Sequence, residues 1–200
     1  MIILQKKNKI IIIILVILSL IGILVASHYI EEQIFYDTIK KVSDLENKSD
    51  TENMALAEKA YPSTEEIKES CVNTINTSSE EIAILQDLKG KVFNESYREY
   101  IDIEINRLTC ENKTNTIMLD ESNVYEDYQN GKIGSSRTLS LINDNKEEMD
   151  SYVEKVKEYK VESDTFLSRH TDMKERFDKL GIDEDFMFNQ IQEVNVESIT

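Results

Sequence analysis

The chain has one proline, five glycines and no tryptophan in 200 residues. So few turn-forming residues argue against a β fold, which needs a Gly- or Pro-rich reversal every few residues, and favour long helices. There are two cysteines, too few for a disulfide-rich scaffold, and two histidines, His28 and His170. No set of His, Cys and carboxylate residues has the spacing of a zinc site, and no nucleophile is accompanied by a base and an orienting group. The acidic runs "NDNKEEMD" and "GIDEDF" lack the register and central glycine of a calcium loop. "GKIGSS" has glycines but not the order of a phosphate-binding loop, and reads as a turn. The expectation is a protein that is not an enzyme and that uses no cofactor and no metal.

Charge is unevenly placed. Residues 1–30 contain no Asp or Glu; all 39 acidic residues follow, with 20 of the 23 basic ones, in a chain of net charge −16. The acidic residues are dispersed, which suits solvated helix faces, and such a surface repels nucleic acid. Nucleic acid is therefore not expected as a partner.

The one long uncharged run is Ile10 to Ser27, opening on five consecutive isoleucines. As a helix it spans about 27 Å, close to the roughly 30 Å hydrocarbon core of a bilayer. Lys6, Lys7 and Lys9 precede it; Glu31, Glu32 and Asp37 follow. The positive-inside rule then places the N-terminus in the cytoplasm and the rest of the chain outside. The expected division is 1–9 cytoplasmic, 10–27 a transmembrane signal-anchor, 28–62 a stalk or first exported helix, and 63–200 an extracytoplasmic helical bundle. The competing reading is a cleaved signal peptide, with Val25-Ala26-Ser27 as the cut.

Beyond the membrane segment the first helix continues through "QIFYDTIKKVSDLEN", and Tyr61-Pro62 interrupts the pattern, since the residue before proline avoids the α region. Ser63 and Glu66 read as a capping box opening a helix; Ser78 and Glu81 repeat the signal. "TCENKTNT" looks like a polar break, and a short helix then ends at Gly131, a candidate left-handed cap. The strongest periodicity follows. Positions 142, 145, 149, 152, 156, 159, 163, 166, 170, 173, 177 and 180 alternate by three and four and are mostly apolar, the pattern of a bundle or coiled-coil seam. "VESDT" at 161–165, with Ser163 as a cap, is the expected break; Gly181 ends the seam and "DEDFMFNQIQEV" allows a last short helix. The fold class expected is all-α: a single N-terminal transmembrane helix followed by an elongated helical bundle with a coiled-coil-like seam.

Cys71 and Cys110 have two readings. A reversal at Gly90 would bring them level, and export would favour a disulfide. A reversal at Thr77-Ser78-Ser79 would keep them apart, and Gly90 does not force a turn because a helical glycine costs only about 1 kcal/mol. Four N-glycosylation acceptor sequences begin at Asn47, Asn76, Asn94 and Asn112, to be used only where the host glycosylates exported proteins. His170, beside Phe166 and Phe177 on the seam, reads as a packed histidine.

"SYREYIDIEINRL" followed by "YEDYQNGKIGSSRTLSLI" resembles helical segments of uncharacterised, N-terminally anchored envelope proteins of AT-rich microbes. The second piece also resembles half of a tetratricopeptide unit, without that repeat's Ala and Gly positions and without a second copy. The first resemblance implies an envelope location; the second implies protein binding. The expected function is a single-pass membrane protein with a structural or interaction role, partnered by an unknown envelope protein or by itself. The alternatives are a small-ligand-sensing ectodomain acting with a separate membrane partner, and a secreted helical protein if the N-terminal segment is cleaved.

Overall fold

The computed structural model describes residues 2–59 and 62–182, with side chains from Val16 onward. Five helices follow in order: α1 (Ile2–Ala57), α2 (Thr64–Lys91), α3 (Glu95–Gln129), α4 (Ser135–Arg169) and α5 (Thr171–Leu180), with no strand among the described residues. The fold is all-α.

Neither proline nor any exposed break interrupts α1, and it runs unbroken out of the apolar segment. From Val16 to Ile30 its side chains are exposed. From Phe35 its buried face, Phe35, Tyr36, Ile39 and Val42, is part of the core. The stretch read as a stalk or first exported helix is therefore the first helix of the bundle itself. α2 packs antiparallel to α1, α3 against α2, and α4 against α3. α5 folds back so that Phe177 reaches Phe35, Tyr36 and Tyr100. One end of the bundle thus lies next to the apolar segment, with the α2–α3 turn and α5; the α3–α4 turn lies at the other.

The core near the apolar segment is aromatic. Phe35 stacks on Tyr97 with ring centroids 4.1 Å apart and meets Tyr100 edge-on at 6.2 Å. Leu85, Leu88, Val92, Ile101, Leu108, Phe166 and Met173 complete it.

The α4–α5 seam follows the sequence closely: all twelve seam positions are buried or half-buried. The break does not fall at 161–165. Ser163 is buried inside α4, and the helix ends at His170, whose backbone (φ −115°, ψ 64°) leaves the α region. Its ring stacks on Phe166 at 4.2 Å. Gly131 and Gly181 have φ of 69° and 63°, the left-handed conformation a glycine adopts without strain. The last short helix allowed over "DEDFMFNQIQEV" lies outside the described residues.

Of the two alternatives for the reversal between the cysteines, the one at Thr77-Ser78-Ser79 is excluded, since α2 runs straight through Ser78; it ends at Lys91, just past Gly90, and the chain turns at residues 92–94, where Asn94 caps α3 by accepting from the Ser96 amide. The expected break at "TCENKTNT" is also corrected, because α3 runs straight through it. Only the first capping signal opens a helix. Ser63 Oγ accepts from the Glu66 amide at 3.2 Å, and the Glu66 carboxylate accepts from the Ser63 amide at 2.9 Å. Ser63→Ala removes this box and is expected to lower thermal stability by about 1 kcal/mol, read as a shifted melting midpoint by circular dichroism.

Candidate functional site

The bundle's least ordinary feature is a charged cluster in its middle. Arg107 sits on α3 with Glu104 three residues before it and Glu111 four after, so all three share one helix face. α1 brings Glu46 to the same place. The guanidinium spends its three nitrogens on three different carboxylates: Nε donates to Glu104 at 2.8 Å, Nη1 to Glu111 at 2.8 Å and Nη2 to Glu46 at 2.7 Å. The Arg107 side chain is only 9% exposed. Ser163 Oγ on α4 donates to the other oxygen of Glu104 at 3.1 Å. The cluster therefore ties α1, α3 and α4 together.

Two further acids face it. Asp50 lies one turn beyond Glu46 on α1, and Glu81 points in from α2 with 2% of its surface exposed. One oxygen of each, Asp50 Oδ2 and Glu81 Oε1, is buried without a hydrogen-bond partner. One arginine thus faces five carboxyl groups. Burial pushes Glu81 up to about 9, with Glu46 adding to the rise and Arg107 opposing it. Burial and then Glu46 push Asp50 up to about 7. Burial also raises Glu46 and Glu111, outweighing the pull of Arg107. Arg107 itself is held charged by its three carboxylates. Among the described residues no group of three His, Cys, Asp or Glu is arranged to hold a metal ion. Burial thus favours the protonated form of these carboxyls, most strongly at Glu81.

Sequence reading missed this site. Glu81 looked like the second half of a capping box, yet Ser78 Oγ donates back to the carbonyls of Thr74 and Ile75, as a serine within a helix does. Arg107 interrupts the apolar period of α3 with acids on its own face, and that was the available signal.

The residues singled out from sequence do not converge. Cys71 on α2 and Cys110 on α3 are buried, free thiols. Contacts such as Asn112 with Ser78 set the α2–α3 register and level Cys110 with about residue 80. The two cysteines are thus offset by roughly 13 Å along the axis, too far for a bond whose Cα atoms must lie within about 7 Å. Of the acceptor asparagines, Asn112 donates its side-chain nitrogen to Ile75, Ser78 and Ser79 across the helix pair. Asn94 is the α3 cap, Asn47 lies within hydrogen-bonding distance of Ser43 on α1, and Asn76 is exposed on α2. A groove of about 530 Å³ beside the start of α3 is lined by charges of both signs, among them Lys89, Arg98, Asp102 and Glu162.

No protein-family model, curated protein or solved structure matches the chain.

Proposed function

We propose that this chain is a membrane-anchored, extracytoplasmic helical protein with a non-enzymatic structural or protein-interaction role in the cell envelope. The observation that carries the reading is the continuity of α1. It is the one described helix long and apolar enough to cross a membrane, and without a break it becomes a core helix of the bundle at Phe35. A bundle on a flexible linker would be free to tumble; here span and bundle share one rod, so the bundle moves with the span and is held at a set depth. Lys6, Lys7 and Lys9 just before the span support a cytoplasmic N-terminus and a bundle on the outer side. At the far end, Tyr125, Tyr128 and Leu139 keep apolar surface exposed around the α3–α4 turn, which suits an interaction role.

The test is the intact mass of the chain from native membranes, with protease added to whole cells. The reading expects a mass that includes residues 1–27 and digestion of the bundle from outside. A mass lacking residues 1–27 makes it a secreted protein, and a protected bundle reverses the orientation.

The alternative of a sensing ectodomain working through a separate membrane partner has one observation in its favour, the Arg107 cluster. Buried carboxyls raised to neutrality or above would make the bundle responsive to external pH, and Glu81, Asp50 and Glu46 would be the responding groups.

A further inference from the structure

Phe93 stands in the α2–α3 turn with 80% of its surface exposed, more than any large hydrophobic side chain of the apolar segment from Val16 to Val25. A single exposed phenylalanine is ordinary on a protein surface. Its location is what gives this one meaning. The amides of Phe93 and Asn94 both donate to one oxygen of Glu31 on α1, each at 2.6 Å. Glu31 follows Ser27, the end of the uncharged run, by four residues, a rise of about 6 Å. The headgroup layer on each side of a bilayer is about 5–8 Å deep. If α1 spans the membrane, the turn is clamped at headgroup level and cannot leave it without losing both hydrogen bonds.

We infer that the α2–α3 turn is a second membrane contact, with Phe93 inserted into the headgroup–acyl boundary of the leaflet that α1 exits. The inference rests on the anchor reading above. Tyr29, 59% exposed and two residues beyond Ser27, stands at nearly the same level, so the two rings form part of an aromatic belt of the kind that marks membrane interfaces. Charges near the turn are mixed: Lys91 pairs with Asp87 and Lys89 with Asp102, while Glu31 and Glu95 are acidic. Insertion of the ring, not attraction to anionic lipid, is therefore the binding term, and neutral phosphatidylcholine suffices. The result is a two-point mount: α1 fixes the bundle's depth, and Phe93 fixes its rotation about the α1 axis.

The chain contains no tryptophan, so a single one reports its own surroundings. The full chain is reconstituted in phosphatidylcholine vesicles with lipids brominated either near the headgroup or at the chain ends. Three variants are compared: Phe93→Trp, Leu20→Trp within the span and Leu139→Trp at the far end, all exposed positions where the change is tolerated. The inference expects Phe93→Trp to lose emission to lipids brominated near the headgroup, Leu20→Trp to chain-end bromines, and Leu139→Trp to neither. Unquenched Phe93→Trp beside quenched Leu20→Trp overturns the inference and leaves the anchor standing. If Leu20→Trp is also unquenched, the anchor reading falls and the inference with it.

Discussion

Arg107→Met is expected to destabilise the folded chain by about 3–5 kcal/mol near neutral pH, the cost of removing one partner from a buried ion cluster. The loss is not that of one salt bridge. Glu46, Glu104 and Glu111 each accept from a separate nitrogen of the guanidinium. Without it they face one another, Asp50 and Glu81 in a site that is nearly closed to water. The only relief is protonation, so the deficit should shrink between pH 8 and pH 5. Arg107→Lys is expected to be nearly as damaging, because an ammonium is a point charge and cannot present three donors in a planar fork. Thermal unfolding of the full chain in detergent, followed by circular dichroism at both pH values, measures this. A Met variant as stable as the parent at pH 8 would mean that the cluster contributes nothing to holding α1, α3 and α4 together.

How far the sequence foretold this molecule depends on the range of the interaction concerned. The α4–α5 seam was legible because each of its positions is decided by a local period of three and four that runs through both helices. The Ser63–Glu66 box and the glycine at 181 were legible because caps are local. The reversals were not. Ser78–Glu81 has the same spacing as Ser63–Glu66, and what separates them is outside the motif: Pro62 precedes the first, while the second is embedded between Cys71 and Leu85, both buried on α2. The true turn at 92–94 has neither glycine nor proline; it is held from a distance by Glu31. The Arg107 cluster was hidden for the same reason. Glu104, Arg107 and Glu111 could be placed on one face from their spacing, but Glu46, Glu81 and Ser163 reach them only because α1, α2 and α4 are packed around α3, and that depends on turns the sequence marks weakly. The turn error also governed the cysteines, since moving a reversal by a few residues shifts the register by twice as many.

Glu81→Met should have the opposite sign to Arg107→Met: more stability at pH 8, and little change at pH 5. Glu81 is raised to about 9 and Asp50 to about 7 in the folded chain, whereas in an unfolded chain both titrate near 4. Between those values the folded state holds protons that the unfolded state has released. Stability therefore falls as pH rises, by about 1.4 kcal/mol per pH unit for each carboxyl in that condition. Its contribution is fully present only below about pH 4, and is lost through pH 7 for Asp50 and through pH 9 for Glu81. Glu66 works the other way. The Lys59 ammonium and the Ser63 amide and hydroxyl hold it at about 2, so its contribution is present above about pH 4 and lost as pH falls toward 2. The parent should accordingly be most stable near pH 4–5 and weaken steadily toward pH 9. Rising negative charge on the whole surface pushes in the same direction, and the variant separates the two causes. Methionine fills similar space with no charge to desolvate and no unpartnered oxygen, so it should remove one carboxyl's share of the slope and leave the surface contribution in place. Melting temperatures of parent and variant across pH 4–9 test this. Parallel curves would show that Glu81 does not titrate in that range, and would remove the main support for reading the Arg107 cluster as responsive to external pH.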